Sequence, residues 1–362
     1  MDDIDGLGFD DLGQTVDVGI YGQRVFGMHG QVQVLAPNPF DLMLTGTADR
    51  NHERPSALGG DGLGDFDGAA LNPAAFTHGR KYLEDRRRSD TGGGLFRGRD
   101  GGIVGAFVHL PEPTMPEILT RDDGTTIAYH QTPGESPGVI FMTGFKSDMT
   151  GGKALALEEL CKKRGQAYLR FDYSGHGESS GAFEDGTIGE WAGDAVAALD
   201  ELTEGPQVLV GSSMGGWIML LTALARPERV AGLVGTAAAP DFTEDLIPGD
   251  LSAEQKEQLQ AQGFAIIPNC YDGEPYKITK ELLDEGRNHL LLRGEIPLDC
   301  PVRLIHGTND EDVPWQTSLK IAERLRSQDV ETLFVKNGDH RLSEPEDLNR
   351  LCRTVGRLLD QL

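Results

Sequence analysis

The sequence predicts an α/β fold, a mainly parallel sheet with helices on both faces and a short helical cap. Three observations predict it. A β-branched, apolar run at 208–210 breaks at Gly211, and a helix-length apolar segment opens at Gly215-Gly216 and runs to about Ala225. From Met115 onward, strand-like and helix-like stretches alternate, the pattern of a parallel sheet covered on both faces. Two later strands are each followed by a polar loop carrying Asp and His, just beyond the carboxyl ends where open parallel sheets place their working residues.

In chain order, 118–120 and 125–130 flank Asp122-Asp123-Gly124, a hairpin signal. A short apolar strand at 139–143 leads into the loop 144–152. Helix is expected over 153–164, strand over 167–171 and an amphipathic helix over 187–203, then the strand and helix around Gly211 and a strand at 230–234. The alternation lapses between about 239 and 297, where two helices are expected near 251–262 and 278–292. An insertion there would sit as a cap over the sheet, and its apolar residues, among them Phe242, Ile266, Tyr271 and Tyr276, suit a pocket lining and cap packing equally. Strand 302–305, helix 315–327, strand 332–335 and a helix over about 346–362 complete the domain.

The turn at the centre reads Gly211-Ser212-Ser213-Met214-Gly215, a Gly-x-Ser-x-Gly string set between strand and helix. Such a turn is too tight for flanking side chains, and it lifts Ser213 clear of the sheet at a helix N-terminus that favours developing negative charge. A second copy, Gly177-Glu178-Ser179-Ser180-Gly181, follows a polar loop and leads into no apolar helix, so it is read as a surface loop.

A serine hydroxyl needs a base to take its proton and an acid to orient the base. His340, just after strand 332–335, is the expected base, with His176 as rival. Asp310, just after strand 302–305, is the expected acid, with Asp312 and Glu311 close enough to be confused with it. Asp172 is expected to fix a loop. An oxyanion needs two preorganised backbone N–H donors. Met214, after the nucleophile, and Phe145, in the loop after strand 139–143, are the expected pair, with Gly144 allowing close backbone approach.

Bulk properties narrow the function classes. Over 362 residues the formal charge is −25 and the pI about 4.6, which argues against nucleic-acid partners and against adhesion to anionic membrane. No apolar run is long enough for a span, so no stable membrane insertion is expected. Cys161, Cys270, Cys300 and Cys352 lack metal-site spacing, so no metal and no disulfide framework are expected. No cofactor is called for, a monomer or small homo-oligomer is expected, and the acidic start gives the expectation of a cytoplasmic location.

Residues 1–114 hold 21 of the 48 glycines, and Gly plus Pro reach 27 of 114, a composition near the low-complexity range. β-like alternation shows at 15–20 and 31–35, and 40–44 is apolar. Gly59-Gly60-Asp61-Gly62-Leu63-Gly64-Asp65 is out of register with a calcium-binding repeat, and Arg86-Arg87-Arg88 is offset by acidic neighbours. The expectation is a disordered or accessory extension, dispensable for catalysis, with Met115 a candidate start and a small β-rich module the alternative. Residues 115–362 form the α/β domain, with its cap insertion at about 239–297.

The elbow, the run His306-Gly307-Thr308-Asn309-Asp310 through Val313-Pro314, and the final Asp339-His340 resemble the α/β-hydrolase superfamily. Gly144-Phe145-Lys146-Ser147-Asp148-Met149, Arg170-Phe171-Asp172-Tyr173-Ser174-Gly175 and Cys300-Pro301-Val302-Arg303-Leu304 make the match closer. With the elbow they resemble the mitochondrial palmitoyl-protein thioesterase and mycophenolic-acid acyl-glucuronide esterase group with its bacterial relatives. The resemblance implies a Ser213, Asp310 and His340 triad acting on an acyl ester or thioester substrate, such as a fatty-acylated protein or an acyl glucuronide. A broad carboxylesterase, a peptidase of the same fold and a non-catalytic binding module are the alternatives. Two departures stand out: Thr143-Gly144 replaces the His-Gly of many members, and 1–114 match nothing in the group.

Overall fold

The computed structural model describes residues 115–268 and 275–362 and, before them, the backbone of six strands. The chain divides into a unit at 2–114 and a unit at 115–362. In the first unit, β1 (Val18–Tyr21) pairs antiparallel with β2 (Arg24–Gly27). There, β3 (Val32–Asn38), β4 (Asp41–Gly46), β5 (Gly94–Arg97) and β6 (Ile103–His109) form a separate antiparallel sheet of order β3-β4-β6-β5. The Gly59 to Asp65 stretch and the Arg86 to Arg88 cluster lie outside the described residues.

The second unit is built on an eight-stranded sheet. β7 (Glu117–Thr120) and β8 (Thr126–Thr132) form the expected hairpin. β9 (Glu135–Met142), β10 (Gln166–Phe171), β11 (Gln207–Ser212), β12 (Val230–Thr236), β15 (Val302–Gly307) and β16 (Val330–Val335) are parallel, and the order is β16-β15-β12-β11-β9-β10-β8-β7. Because successive side chains in a strand point to opposite faces, the central strands feed two cores. Val139, Phe141, Val208 and Val210 face α1 (Gly152–Arg164) and the C-terminal helix, where Leu157, Leu351 and Leu358 are buried. Ile140, Met142 and Leu209 face α2 (Ile188–Leu202) and α3 (Met214–Ala225), where Trp191 and Trp217 are fully buried. This two-sided burial explains the uninterrupted apolar runs of β9 and β11.

Local signals set the helix ends. Thr187 accepts the Glu190 N–H at the start of α2, a cap worth ~1 kcal/mol. Gly165 turns left-handed to close α1. Between β12 and β15 the chain leaves the sheet as α4 (Phe242–Asp245), α5 (Ile247–Asp250), α6 (Ala253–Gln262), β13 (Phe264–Ile267), β14 (Tyr276–Thr279) and α7 (Lys280–Gly286). The reading of this insertion as helices alone is corrected by the β13–β14 pair. The expected helix at 278–292 begins only at Lys280, because Tyr276 to Thr279 pair across to Phe264 to Ile267 and Thr279 caps α7 through the Leu282 N–H. Tyr271 lies outside the described residues. The cap is fastened by Asp241, whose buried carboxylate accepts the Leu291 and Leu292 N–H groups, and by Trp217 Nε1, which donates to His289 O. α8 (Gln316–Arg324) packs on β15 and β16, and α9 (Pro345–Gln361), opened by Pro345, closes the far face. No described helix is long and apolar enough to cross a membrane. Cys161, Cys300 and Cys352 are free, and burial pushes the Cys161 thiol up to about 12 and that of Cys300 up to about 11.

Candidate active site

Ser213 joins β11 to α3 with φ 55° and ψ −120°. A non-glycine residue held there carries strain on the order of 1–3 kcal/mol, so its surroundings must hold it. They do: its N–H donates to Thr236 O at 2.9 Å, and its carbonyl accepts from Gly216 N at 2.9 Å and Ala239 N at 3.0 Å. The flanking glycines are required by space. A Cβ on Gly211 would strike the Gly215 carbonyl, and one on Gly215 would strike the carbonyls of Met142 and Thr143. Strand, helix and the loop after β9 therefore meet at backbone-to-backbone distance around one serine.

The other two groups come from the loops after β15 and β16. Those loops are tied together, Asn309 N donating to Gly338 O and Asn337 N to Thr308 Oγ1, both at 2.9 Å. His340 Nε2 lies 2.9 Å from Ser213 Oγ, and His340 Nδ1 lies 2.8 Å from Asp310 Oδ2. A carboxylate only accepts, so Nδ1 carries the proton and Nε2 presents its lone pair to the serine hydroxyl. Lys153 Nζ donates to Arg341 O and steadies the His340 loop from α1.

Asp310 is enclosed. Its side chain is fully buried, Oδ1 accepts the N–H groups of Asp312 (3.0 Å) and Val313 (2.8 Å), and Oδ2 also takes His306 Nε2 at 3.1 Å. Burial opposes its charge, but hydrogen bonds from His306, His340 and the backbone outweigh it and hold the carboxyl well below the usual range. His306 is a contributor that sequence reasoning passed over. It is completely buried, with Nδ1 2.7 Å from Ser318 Oγ and Nε2 shared between Asp310 and the Val313 carbonyl, 3.0 Å away. Its sequence signal was the His306–Asp310 spacing within one motif. Among the rival acids, Glu311 is exposed, and the Asp312 backbone serves Asp310. Ligand atoms of Asp310, Asp312 and His340 fall within 4.8 Å of one another, the one grouping of metal-ligand type among the described residues. Both ring nitrogens of His340 are already engaged there, so a cation would have to displace the serine or Asp310 contact.

The two expected oxyanion donors flank the serine. Met214 opens α3, where an N–H has no intrahelical acceptor. Gly144, before Phe145, passes so near that a Cβ there would stand 3.4 Å from the Ser213 Cβ. The Phe145 ring is a hub, in edge-to-face contact with Phe183 at 4.8 Å, Phe242 at 5.8 Å and Tyr276 at 5.9 Å. Two residues named from the cap, Phe242 and Tyr276, thus reach the site, while Ile266 is exposed. His176, the rival base, is buried with both ring nitrogens engaged, one near Ser174 O and one accepting the Lys146 N–H. Asp172 fixes loops, accepting from Met149 N at 2.7 Å and Glu178 N at 3.0 Å.

Comparison with known proteins gives a consistent picture. A family profile for the α/β hydrolase fold matches residues 152–270. The mitochondrial palmitoyl-protein thioesterase ABHD10 of Bos taurus is 45% identical over 250 residues, covering 69% of this chain and 81% of that protein. Among solved structures, the mouse α/β hydrolase domain-containing protein 10 is 42% identical with TM-score 0.64, covering 68% of this chain and 99% of that one. A putative hydrolase from Agrobacterium vitis S4 is 39% identical with TM-score 0.65 over the same 68% and 99%. The human protein of the ABHD10 name, like the bovine one, is designated mitochondrial. That finding overturns the cytoplasmic expectation, which rested on the acidic start of the sequence.

Proposed function

The chain belongs to the α/β-hydrolase fold family, among the relatives of the palmitoyl-protein thioesterase ABHD10, and on that premise we propose that it is a serine hydrolase of acyl thioesters and esters. The observation that carries the reading is the unbroken line Ser213 Oγ, His340 Nε2, His340 Nδ1, Asp310 Oδ2, with steps of 2.9 and 2.8 Å across its two hydrogen bonds. In this reading Ser213 attacks the acyl carbon while His340 takes the hydroxyl proton, and Asp310 keeps the imidazole in the tautomer that can accept it. The N–H groups of Met214 and Phe145 receive the oxyanion. His340 passes the proton to the leaving thiol or alcohol, then activates the water that releases the acid and restores Ser213.

The names of the relatives favour a fatty-acyl thioester on a protein as substrate. The apolar wall of Phe145, Phe183, Phe242 and Tyr276 suits an acyl chain. The test compares kcat/KM on a palmitoyl-cysteine peptide with that on an acyl glucuronide, using Ser213→Ala as control. Preference for the thioester supports a protein deacylase. Equal slow rates on both point to a broad esterase, and turnover by the Ser213→Ala protein overturns the nucleophile.

A further inference from the structure

We propose that His176 is the positioning residue of the oxyanion loop, its Nε2 accepting the Lys146 N–H and so holding the Gly144-Phe145-Lys146 backbone against Ser213. The inference rests on the reading of Ser213 and Phe145 given above and extends it to a residue outside the line of proton transfer.

The loop after β9 needs an external hold. Lys146 sits at φ 54°, a left-handed conformation that a lysine adopts only under constraint. Within the loop, Ser147 N donates to Gly144 O at 3.1 Å, closing the turn but not fixing where it lies. Bonds from the segment after β10 do that, beginning with Tyr173 Oη, which donates to Thr143 O at 3.4 Å just ahead of Gly144. Asp172 Oδ1 takes Met149 N at 2.7 Å, and His176 Nε2 takes Lys146 N at 3.3 Å. The His176 bond is adjacent to Phe145, so it bears directly on where the Phe145 N–H points.

The imidazole is made for this one bond. Nδ1 lies 3.2 Å from Ser174 O, and a carbonyl only accepts, so Nδ1 carries the proton and Nε2 offers a lone pair. The rings of Tyr173 at 5.5 Å, Phe183 at 5.1 Å and Trp191 at 5.1 Å wall it in and prevent a flip. Burial lowers its proton affinity, which favours the neutral form that can accept.

The test uses the full chain and two amides of different reach. His176→Asn keeps the bond to Ser174 O but is too short for Lys146 N, while His176→Gln places an acceptor near the Nε2 position. The Asn variant is expected to lose about 10- to 100-fold in kcat, less than the ~10²–10³ of removing an oxyanion donor outright. KM should stay within about twofold, because the oxyanion contact is made only in the transition state. Inhibition by a trifluoromethyl ketone, which forms a hemiketal oxyanion on the serine, should weaken by the same factor as kcat. Affinity for the free product acid should not change, and the Gln variant should recover most of both losses. Unchanged ketone inhibition in the Asn variant overturns the proposal. So does equal loss of kcat, product affinity and Tm in both variants, which would mean packing alone. Turnover by Ser213→Ala would instead overturn the reading beneath it.

Discussion

Two stretches of this chain spell Gly-x-Ser-x-Gly, and they do opposite work. At Gly211 to Gly215 the serine hydroxyl is left facing a histidine lone pair, while the serine's own backbone N–H and carbonyl are tied down. At Gly177 to Gly181 the serine hydroxyl is itself the tie. Ser179 Oγ donates to Asp172 O at 2.7 Å and accepts from Ala128 N at 2.8 Å, and its neighbour Ser180 Oγ accepts from Thr126 N at 2.7 Å. The second segment is stitched to β8 and, through Asp172 and His176, to the loop beside Ser213. A hydroxyl with both its donor and acceptor satisfied by backbone has nothing left for chemistry. The string is the same; what differs is whether the hydroxyl or the backbone carries the hydrogen bonds.

The comparison can be broken most severely at Ser213. Ser213→Ala should lower kcat by about 10⁴- to 10⁶-fold with little change in KM, whereas Ser179→Ala should leave kcat within a few fold. Single-turnover assays on both variants decide it, and a dead Ser179→Ala protein would reverse the assignment. Asp310→Asn comes next, at ~10⁴-fold in kcat, because the amide stabilises the wrong imidazole tautomer. The same variant sharpens the electrostatics. The native carboxyl is held below its ordinary value, so its contribution to stability is fully present above that ordinary value, ~3.9, and is lost as pH falls below it. Tm measured against pH should therefore fall less steeply on the acid side in the Asn variant than in the parent.

Gly215→Ala tests the close contact at the elbow. Its methyl would press on the carbonyls of Met142 and Thr143, so strand and helix must separate. The expected result is a destabilisation of about 1–3 kcal/mol from overpacking, with activity lost alongside it, read by thermal denaturation and by assay. The smallest effect belongs to Ser179→Ala, read as stability. It strands the Ala128 N–H, at a cost of about 1–3 kcal/mol, or roughly 2–10 °C in Tm, with kcat preserved.

Much of the candidate site is legible in the sequence. Ser213, Asp310 and His340 each stand directly after a strand that could be read from its apolar, β-branched residues, and the observed strands contain all of those runs. The parallel order followed from the alternation with helices. What stayed hidden was set by contacts between distant segments. Tyr276 to Thr279 reads as the start of a helix until Phe264 to Ile267 is beside it. His306 was passed over because nothing local shows it buried between Ser318 and Asp310. The 172–181 segment looked like a solvated loop because its polar residues are spent on backbone groups of β8 and of the loop after β9, more than twenty positions away along the chain.

The sequence by itself determined the elements, their order, and which three side chains follow the carboxyl ends of parallel strands, because strand period, helix period and glycine at a tight turn are local properties of the chain. Only the tertiary structure decided which of two identical serine motifs has a free hydroxyl, which nitrogen of His340 faces it, and that His176 and His306 serve the site from behind. Those outcomes depend on which donor meets which acceptor once the sheet has formed, and hydrogen-bond partners more than a hundred residues apart, such as Ser213 and His340, leave no local trace of their pairing.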